Sequence, residues 1–364
     1  MKTILIYTYK HSNYGAVLQA YALQKYLRET YEADVKIVDF TTDAHLKDDR
    51  LIRTTGSIVE RVVFTFFNLI HSKELKSRRE KTKLFKEQYY VQTDRFSSID
   101  SLISNNPEAD IYISGSDQVF NPNSIYLPVY YLGFKKGNGI KVAYAPSFGI
   151  SKFAPDVAER IKPYLVDFDF ISCRETIGAD YLTTLLGRTV PTVCDPTLLL
   201  GTTEWSNIAV APNFDKPYIL VYEINGGGDI VSIAQKLAAV KGLPIVCITS
   251  KTHRNYKVNK IVRDAGPAEF VGWFQKATFV VTDSFHGTVF SWIFEKEFFY
   301  FLAYEGTSSR AISLLKHLGC EDRVVTKDKI GNFDASQCLP YQRRELPLVD
   351  NSKRFIDSFM WHEQ

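Results

Sequence analysis

The sequence predicts an α/β protein built from two α/β units that face each other across a cleft. Three observations carry this expectation. Short apolar runs of strand length alternate with stretches whose apolar residues recur at helical spacing, which is the pattern of a mostly parallel sheet covered on both faces. Residues 201–215 lack a clear period and contain Pro212, Asn213 and Asp215, so a linker is placed there. The 364 residues are enough for two domains of ordinary size.

The first unit spans 1–200. Thr3 to Tyr9 reads as its first strand, an apolar run too short for a signal peptide. Tyr14 to Arg28 follows as a helix, with Val17, Leu18, Tyr21, Leu23 and Leu27 at helical spacing. Val35–Phe40, Ile111–Ser114, Val142–Ala145, Phe168–Ser172 and Val193–Asp195 read as further strands. The second unit spans 216–345. It opens with strand Tyr218–Tyr222, the glycine-rich loop Asn225–Asp229 and helix Ile230–Val240. Strands Pro244–Thr249, Phe279–Thr282 and Phe298–Phe301 follow. In the segment 346–364, a last helix at about Ser352–Trp361 is expected to return to the first unit.

An insertion near 57–90 breaks the alternation and reads as long helix. An apolar patch (Val62, Val63, Phe64, Phe66, Phe67, Leu69, Ile70) precedes a mostly basic run (Lys73, Lys76, Arg78, Arg79, Lys81, Lys83, Lys86). Two readings stay open. One is peripheral contact with an anionic membrane. The other is a surface hairpin that buries its apolar face.

Composition narrows the function. The net charge of +3, from 44 basic and 41 acidic residues, is too balanced to imply nucleic acid. Five scattered cysteines without a CxxC pair argue for reduced thiols in a cytoplasm and against a disulfide framework or zinc site. No run approaches the roughly 20 apolar residues of a membrane span. The 14% aromatic content suits either sugar-binding walls or an aromatic core.

The candidate chemistry sits where strands hand over to helices. In Val280–Phe290 an apolar strand runs through Asp283-Ser284-Phe285-His286-Gly287 into an apolar helix. A helix N-terminus offers free N–H groups to an anion, and His286 can move a proton near neutral pH. Ser12 or Asn13 can cap the helix that follows the first strand, Tyr14 comes next, and Gly15 allows close approach. Ser114-Gly115-Ser116-Asp117-Gln118 and Asn121 follow another strand, with Asp117 a candidate base or hydroxyl ligand and Gln118 and Asn121 candidate hydroxyl readers. Arg174, beside Glu175, has the planar fork that grips a carboxylate or phosphate, or else forms a structural pair. Asp195, before Pro196, reads as a turn-former. Ser309 and Arg310 lie where a helix opens after a strand, either as further candidate anion ligands or as part of a plain capped helix start.

Asn-Tyr-Gly-Ala-Val-Leu-Gln from Asn13, Gly-Ser-Asp-Gln-Val-Phe-Asn-Pro at 115–122, Ser-Cys-Arg-Glu at 172–175, Asp-Pro-Thr at 195–197 and Asp-Ser-Phe-His-Gly at 283–287 occur in that order. Together they resemble the polysaccharide pyruvyl transferase family. The resemblance implies two Rossmann-like domains in a GT-B-like arrangement. It also implies transfer of pyruvate from phosphoenolpyruvate onto two hydroxyls of a sugar as a cyclic ketal. No metal is expected, since the sequence shows no ligand cluster, and no cofactor besides the donor. Under it, His286 is the candidate acid and Asp117 the base. Arg174, Arg310, Ser284 and Ser309 bind the donor. Asn13, Tyr14, Gln118 and Asn121 bind the acceptor sugar, whose carrier, lipid or nucleotide, stays open; the expected location is the cytoplasm, free or at the inner face of the membrane. One departure stands out: family members often carry arginine two positions before the histidine, where this chain has Ser284, and Arg310 is the candidate replacement. Two competing readings are a glycosyltransferase using a nucleotide sugar and a sugar-binding protein without catalysis.

Overall fold

Each half of the chain builds one six-stranded parallel sheet. The computed structural model describes residues 1–9, 13–43, 52, 57–134, 138–225, 227–303, 309–335 and 345–362. In the first sheet, β1 (Thr3–Tyr7), β2 (Asp34–Phe40), β3 (Gln92–Phe96), β4 (Ile111–Ser114), β5 (Ile140–Ala143) and β6 (Phe170–Ile171) lie in the order β3-β2-β1-β4-β5-β6. In the second, β7 (Ile219–Tyr222), β8 (Ile245–Ile248), β9 (Lys260–Val262), β10 (Phe279–Thr282), β11 (Glu297–Leu302) and β12 (Val324–Thr326) lie in the order β12-β11-β10-β7-β8-β9. Viewed from its other edge, the second order repeats the first. The expected fold, two Rossmann-like units in a GT-B-like pair, is the fold found. The strand order reverses between β1 and β4, and again between β7 and β10. Loops leaving the carboxyl ends diverge at such a reversal and open a crevice.

Strands β4, β5, β7 and β8 are buried at every residue, as strands covered on both faces must be. Alternation sorts their side chains. Ile4 and Ile6 join one core while Leu5 and Tyr7 join another, and Leu220 and Tyr222 part in the same way from Ile219 and Val221. The core holding Ile4, Ile6, Leu220 and Tyr222 is shared by both units. Within it Tyr14 stacks on Phe270 at 4.5 Å and donates its hydroxyl to Ala265 O at 2.7 Å. Trp205 packs edge-on to Phe290 at 4.9 Å and donates to Thr197 O.

Several elements differ from expectation. Val193–Asp195 is not a strand: Cys173 and Thr192 form an isolated bridge, and Asp195 caps a 3-10 turn at Pro196–Leu199. Pro196 has no N–H to give a ladder. The linker region contains helix Thr202–Ile208, anchored by buried Trp205 and Ile208. Strands β3, β9 and β12 were not read from the sequence. Two of them are three-residue edge strands and the third is the polar Gln-Thr-Asp-Arg-Phe, so none shows an apolar period. The last helix starts earlier, at Pro347, and runs to Met360. It returns to the first sheet, where Ser352 Oγ accepts from Cys194 N at 2.7 Å and Phe359 meets Phe170.

The insertion is two helices, Ile58–Ile70 and Ser72–Tyr89, broken at His71. Ser57 and Glu60 form a capping box at its start. The hairpin does not bury its apolar face. Helix Ile58–Ile70 has no buried residue, and Ile58, Val62, Phe66 and Leu69 are exposed. Among the described residues, no helix is long and apolar enough to cross a membrane.

Candidate active site

The loops after β1 and β4 meet those after β7 and β10 around a cavity of about 260 Å³. Asn13, Asp117 and Gln118 line it from the first unit, and Ser284, His286 and Arg310 from the second. Both chain reversals therefore open onto one space.

The β10 side is built by local hydrogen bonds. Thr282 Oγ1 donates to Tyr222 O at 2.9 Å and accepts from Ser284 N at 3.1 Å. Ser284 Oγ accepts from Gly287 N at 3.3 Å and so caps helix Phe285–Ile293. Asp283 accepts from Ile224 N and Asn225 N at 2.7 and 2.6 Å, which ties the β7 loop to the β10 loop. These bonds place His286 in the first turn of the helix, buried and facing the first unit.

There it meets Gly15. A Cβ on Gly15 would lie 2.0 Å from His286 Nδ1, so the ring fits only against a bare backbone. On its other side, Nε2 is 3.6 Å from Asp195 Oδ2 and has no hydrogen-bond partner among the described residues.

From the imidazole, acidic and basic side chains alternate through the first unit and back to the second. Arg174 Nη1 lies 2.5 Å from Asp195 Oδ2, and its Nη2 lies 3.3 Å from Asp117 Oδ1. Arg310 Nη1 lies 3.8 Å from the same Asp117 oxygen. With its amide oxygen turned toward Arg310, Gln118 accepts from both guanidinium nitrogens, at 3.1 and 2.8 Å. The row runs Arg310, Asp117, Arg174, Asp195, His286. Five separate segments supply it.

Asp195 is completely enclosed. Burial pushes its carboxyl pKa up, but His286, Arg174 and Thr197 outweigh burial and hold it well below the usual carboxylate range. The Arg310 guanidinium is pulled down from its ordinary value, first by burial and then by Arg174. Its Nε has no partner among the described residues. This cation is under-compensated, and a bound anion would relieve it. The backbone of Asp117 sits at φ 66°, ψ −163°, a region almost reserved for glycine. Such a conformation costs about 1–3 kcal/mol and clusters at functional sites. Ser147 N, donating to Asp117 O at 2.7 Å, holds it.

Several expected ligands are placed otherwise. Arg174 does not line the cavity. Both its Nη atoms go to aspartates and its guanidinium lies 4.7 Å over the Phe285 ring, so it aligns carboxylates. Tyr14 is turned into the shared core, its hydroxyl already used. Asn121 Oδ1 accepts from Asn123 N in a turn off the cavity wall. Asn13 is on the wall, and its Oδ1 caps the first helix through Gly15 N at 2.9 Å. Ser309 opens helix Ser309–Leu318, but its side chain lies outside the described part, as do His11, Gly226 and residues 305–308. Asp195 is both a turn-former and a site residue. Its Oδ1 caps Thr197 while its Oδ2 faces Arg174 and His286. The Asp-Pro-Thr match in the ordered motifs was the available signal for it.

No curated protein sequence is a significant match to the chain. Solved structures align along its whole length. A UDP-N-acetylglucosamine 2-epimerase from Rickettsia bellii superposes with TM-score 0.55 at 9% identity, covering 99% of this chain and 97% of its own. The UDP-GlcNAc 2-epimerase of Methanocaldococcus jannaschii gives TM-score 0.51 at 12% identity, with 99% of both chains covered. At such identities the likeness is one of fold. The family model for polysaccharide pyruvyl transferase matches residues 13–306, from the N-cap Asn13 past His286, and the chain belongs to that family.

Proposed function

We propose that the protein moves the pyruvyl group of phosphoenolpyruvate onto two hydroxyls of a polysaccharide sugar or its precursor, releasing phosphate and closing a cyclic ketal. The observation that carries this reading is the charge row from Arg310 to His286 beside one small cavity. It pairs an under-compensated arginine with a buried imidazole. Phosphoenolpyruvate needs both: a cation for its carboxylate or phosphate, and a proton for its methylene carbon.

In this scheme Arg310 holds the anion, with Gln118 steering the guanidinium. His286 gives a proton to the methylene carbon, and C2 becomes cationic. A sugar hydroxyl adds to C2 and gives its proton to Asp117. The second hydroxyl then adds to C2 as the C2–O bond to phosphate breaks, with the electron pair leaving on phosphate. Its proton returns to His286, and the proton on Asp117 departs with phosphate. Arg174 and Asp195 keep Asp117 and His286 in register.

The test is phosphate release from phosphoenolpyruvate with a panel of lipid-linked and nucleotide-linked sugars. His286→Ala is expected to lose roughly 10²–10⁴-fold in turnover with the fold intact, the usual cost of an acid–base group. Near-full turnover in that variant removes the histidine from the mechanism. Thermal stabilisation by a nucleotide sugar but not by phosphoenolpyruvate would favour a glycosyltransferase. Acceptor binding without phosphate release would favour a sugar-binding protein.

A further inference from the structure

The helical insertion has a side that the proposed reaction does not use. Among the described residues, helix Ile58–Ile70 meets the second unit along one side. Asn68 Oδ1 accepts from Thr252 Oγ1 at 2.8 Å, and Phe64 packs on His253 with centroids 4.4 Å apart. At 100° per residue, Ile58, Val59, Val62, Phe66, Leu69 and Ile70 gather on a different side. All six are exposed, Ile58 by 78% and Phe66 by 59%. A contiguous apolar stripe of this kind marks an interaction surface.

Charge indicates what covers it. Among the described residues, two acidic side chains at this end of the hairpin are engaged within the protein, Glu60 by the Ser57 cap and Glu74 by His71 at 2.5 Å. Arg61, Lys73 and Lys76 are exposed. An exposed apolar face edged by exposed cations complements an anionic lipid surface, whereas a protein partner needs no excess of one sign. With 13 residues the helix is about 20 Å long, short of the ~30 Å hydrocarbon core, so it would lie along the interface.

We propose that this hairpin docks the protein on an anionic bilayer, with the stripe from Ile58 to Ile70 inserted and Arg61, Lys73 and Lys76 at the headgroups. The hairpin follows the carboxyl end of β2 and touches the loop after β8, so it shares a rim with the cavity loops. Docking would bring the cavity to a lipid-carried acceptor. That last consequence rests on the pyruvyl-transfer reading; the docking does not.

The test is co-sedimentation of the full chain, without substrate, with vesicles of phosphatidylcholine alone or mixed with phosphatidylglycerol. Binding is expected to the mixed vesicles and to weaken with salt. Phe66→Asp should cut it about ten-fold or more. Lys73→Glu and Lys76→Glu should each cut it about five-fold or more. Phosphate release with a soluble acceptor should be unchanged in all three, which separates this result from failure of the catalytic reading. Equal binding to both vesicle types, or wild-type binding by Phe66→Asp, overturns the proposal. So does a stable wild-type dimer that Phe66→Asp converts to monomer without any vesicle binding, because the stripe would then cover a second copy of this chain.

Discussion

Gly15→Ala probes the meeting of the two units most directly. A methyl group there would sit 2.0, 2.3 and 2.6 Å from Nδ1, Cε1 and Cγ of His286. Ordinary contact begins near 3.4 Å, so the imidazole would have to retreat by more than 1 Å. The obstacle is a rigid ring and not the tip of a flexible chain. A misplacement of about 1 Å costs on the order of 10²-fold in rate. Stability responds differently. Alanine gains roughly 0.5–1 kcal/mol over glycine within a helix. A displaced, off-rotamer ring loses about 0.5–1.5 kcal/mol. The two nearly cancel, so Tm should move by less than about 4 °C. The assay is phosphate release from phosphoenolpyruvate beside a thermal melt. A folded Gly15→Ala enzyme with turnover within about three-fold of the parent would refute the placement of His286 against the first helix.

Three further outcomes follow from the same geometry. Arg310→Ala should raise KM for phosphoenolpyruvate by about 10-fold or more, the worth of one charged hydrogen bond, and an unchanged KM would assign the anion elsewhere. Asp195 has its carboxyl held low in the folded state, so its stabilisation is in place above about pH 4, where the unfolded group is ionised, and fades as pH falls below that. Asp195→Asn should therefore lose stability at pH 7 and show a shallower acid decline than the parent in urea melts across pH 3–7; parallel declines would contradict this. Tyr14→Phe should cost about 1–3 kcal/mol by leaving the buried Ala265 carbonyl without its donor, read as a shifted denaturation midpoint, with little change in KM because Tyr14 does not line the cavity.

Local sequence carried much of this structure. Apolar runs such as Ile111–Ser114 and Phe279–Thr282 match their strands residue for residue, because a strand buried on both faces admits little else. The Asp-Ser-Phe-His-Gly turn announced a helix start, and Ser284 caps it. Edge strands β3, β9 and β12 left no such mark, since they are short or polar and are held by neighbours rather than by their own pattern. The direction in which a side chain points was also beyond local reading. Arg174 could have gripped a ligand, but two aspartates from distant segments occupy it. Asp195 looked like a turn residue and is one, yet its second oxygen faces a histidine 91 positions away in the numbering. The apolar stretch at Ile58–Ile70 was visible from the start, and only packing determined that its face stays open. Periodicity and turn chemistry act between near neighbours, so the sequence alone determined the central strands, the main helices and the candidate loops at the strand ends. Which charges meet is set by the docking of two sheets, and that only the tertiary structure decided.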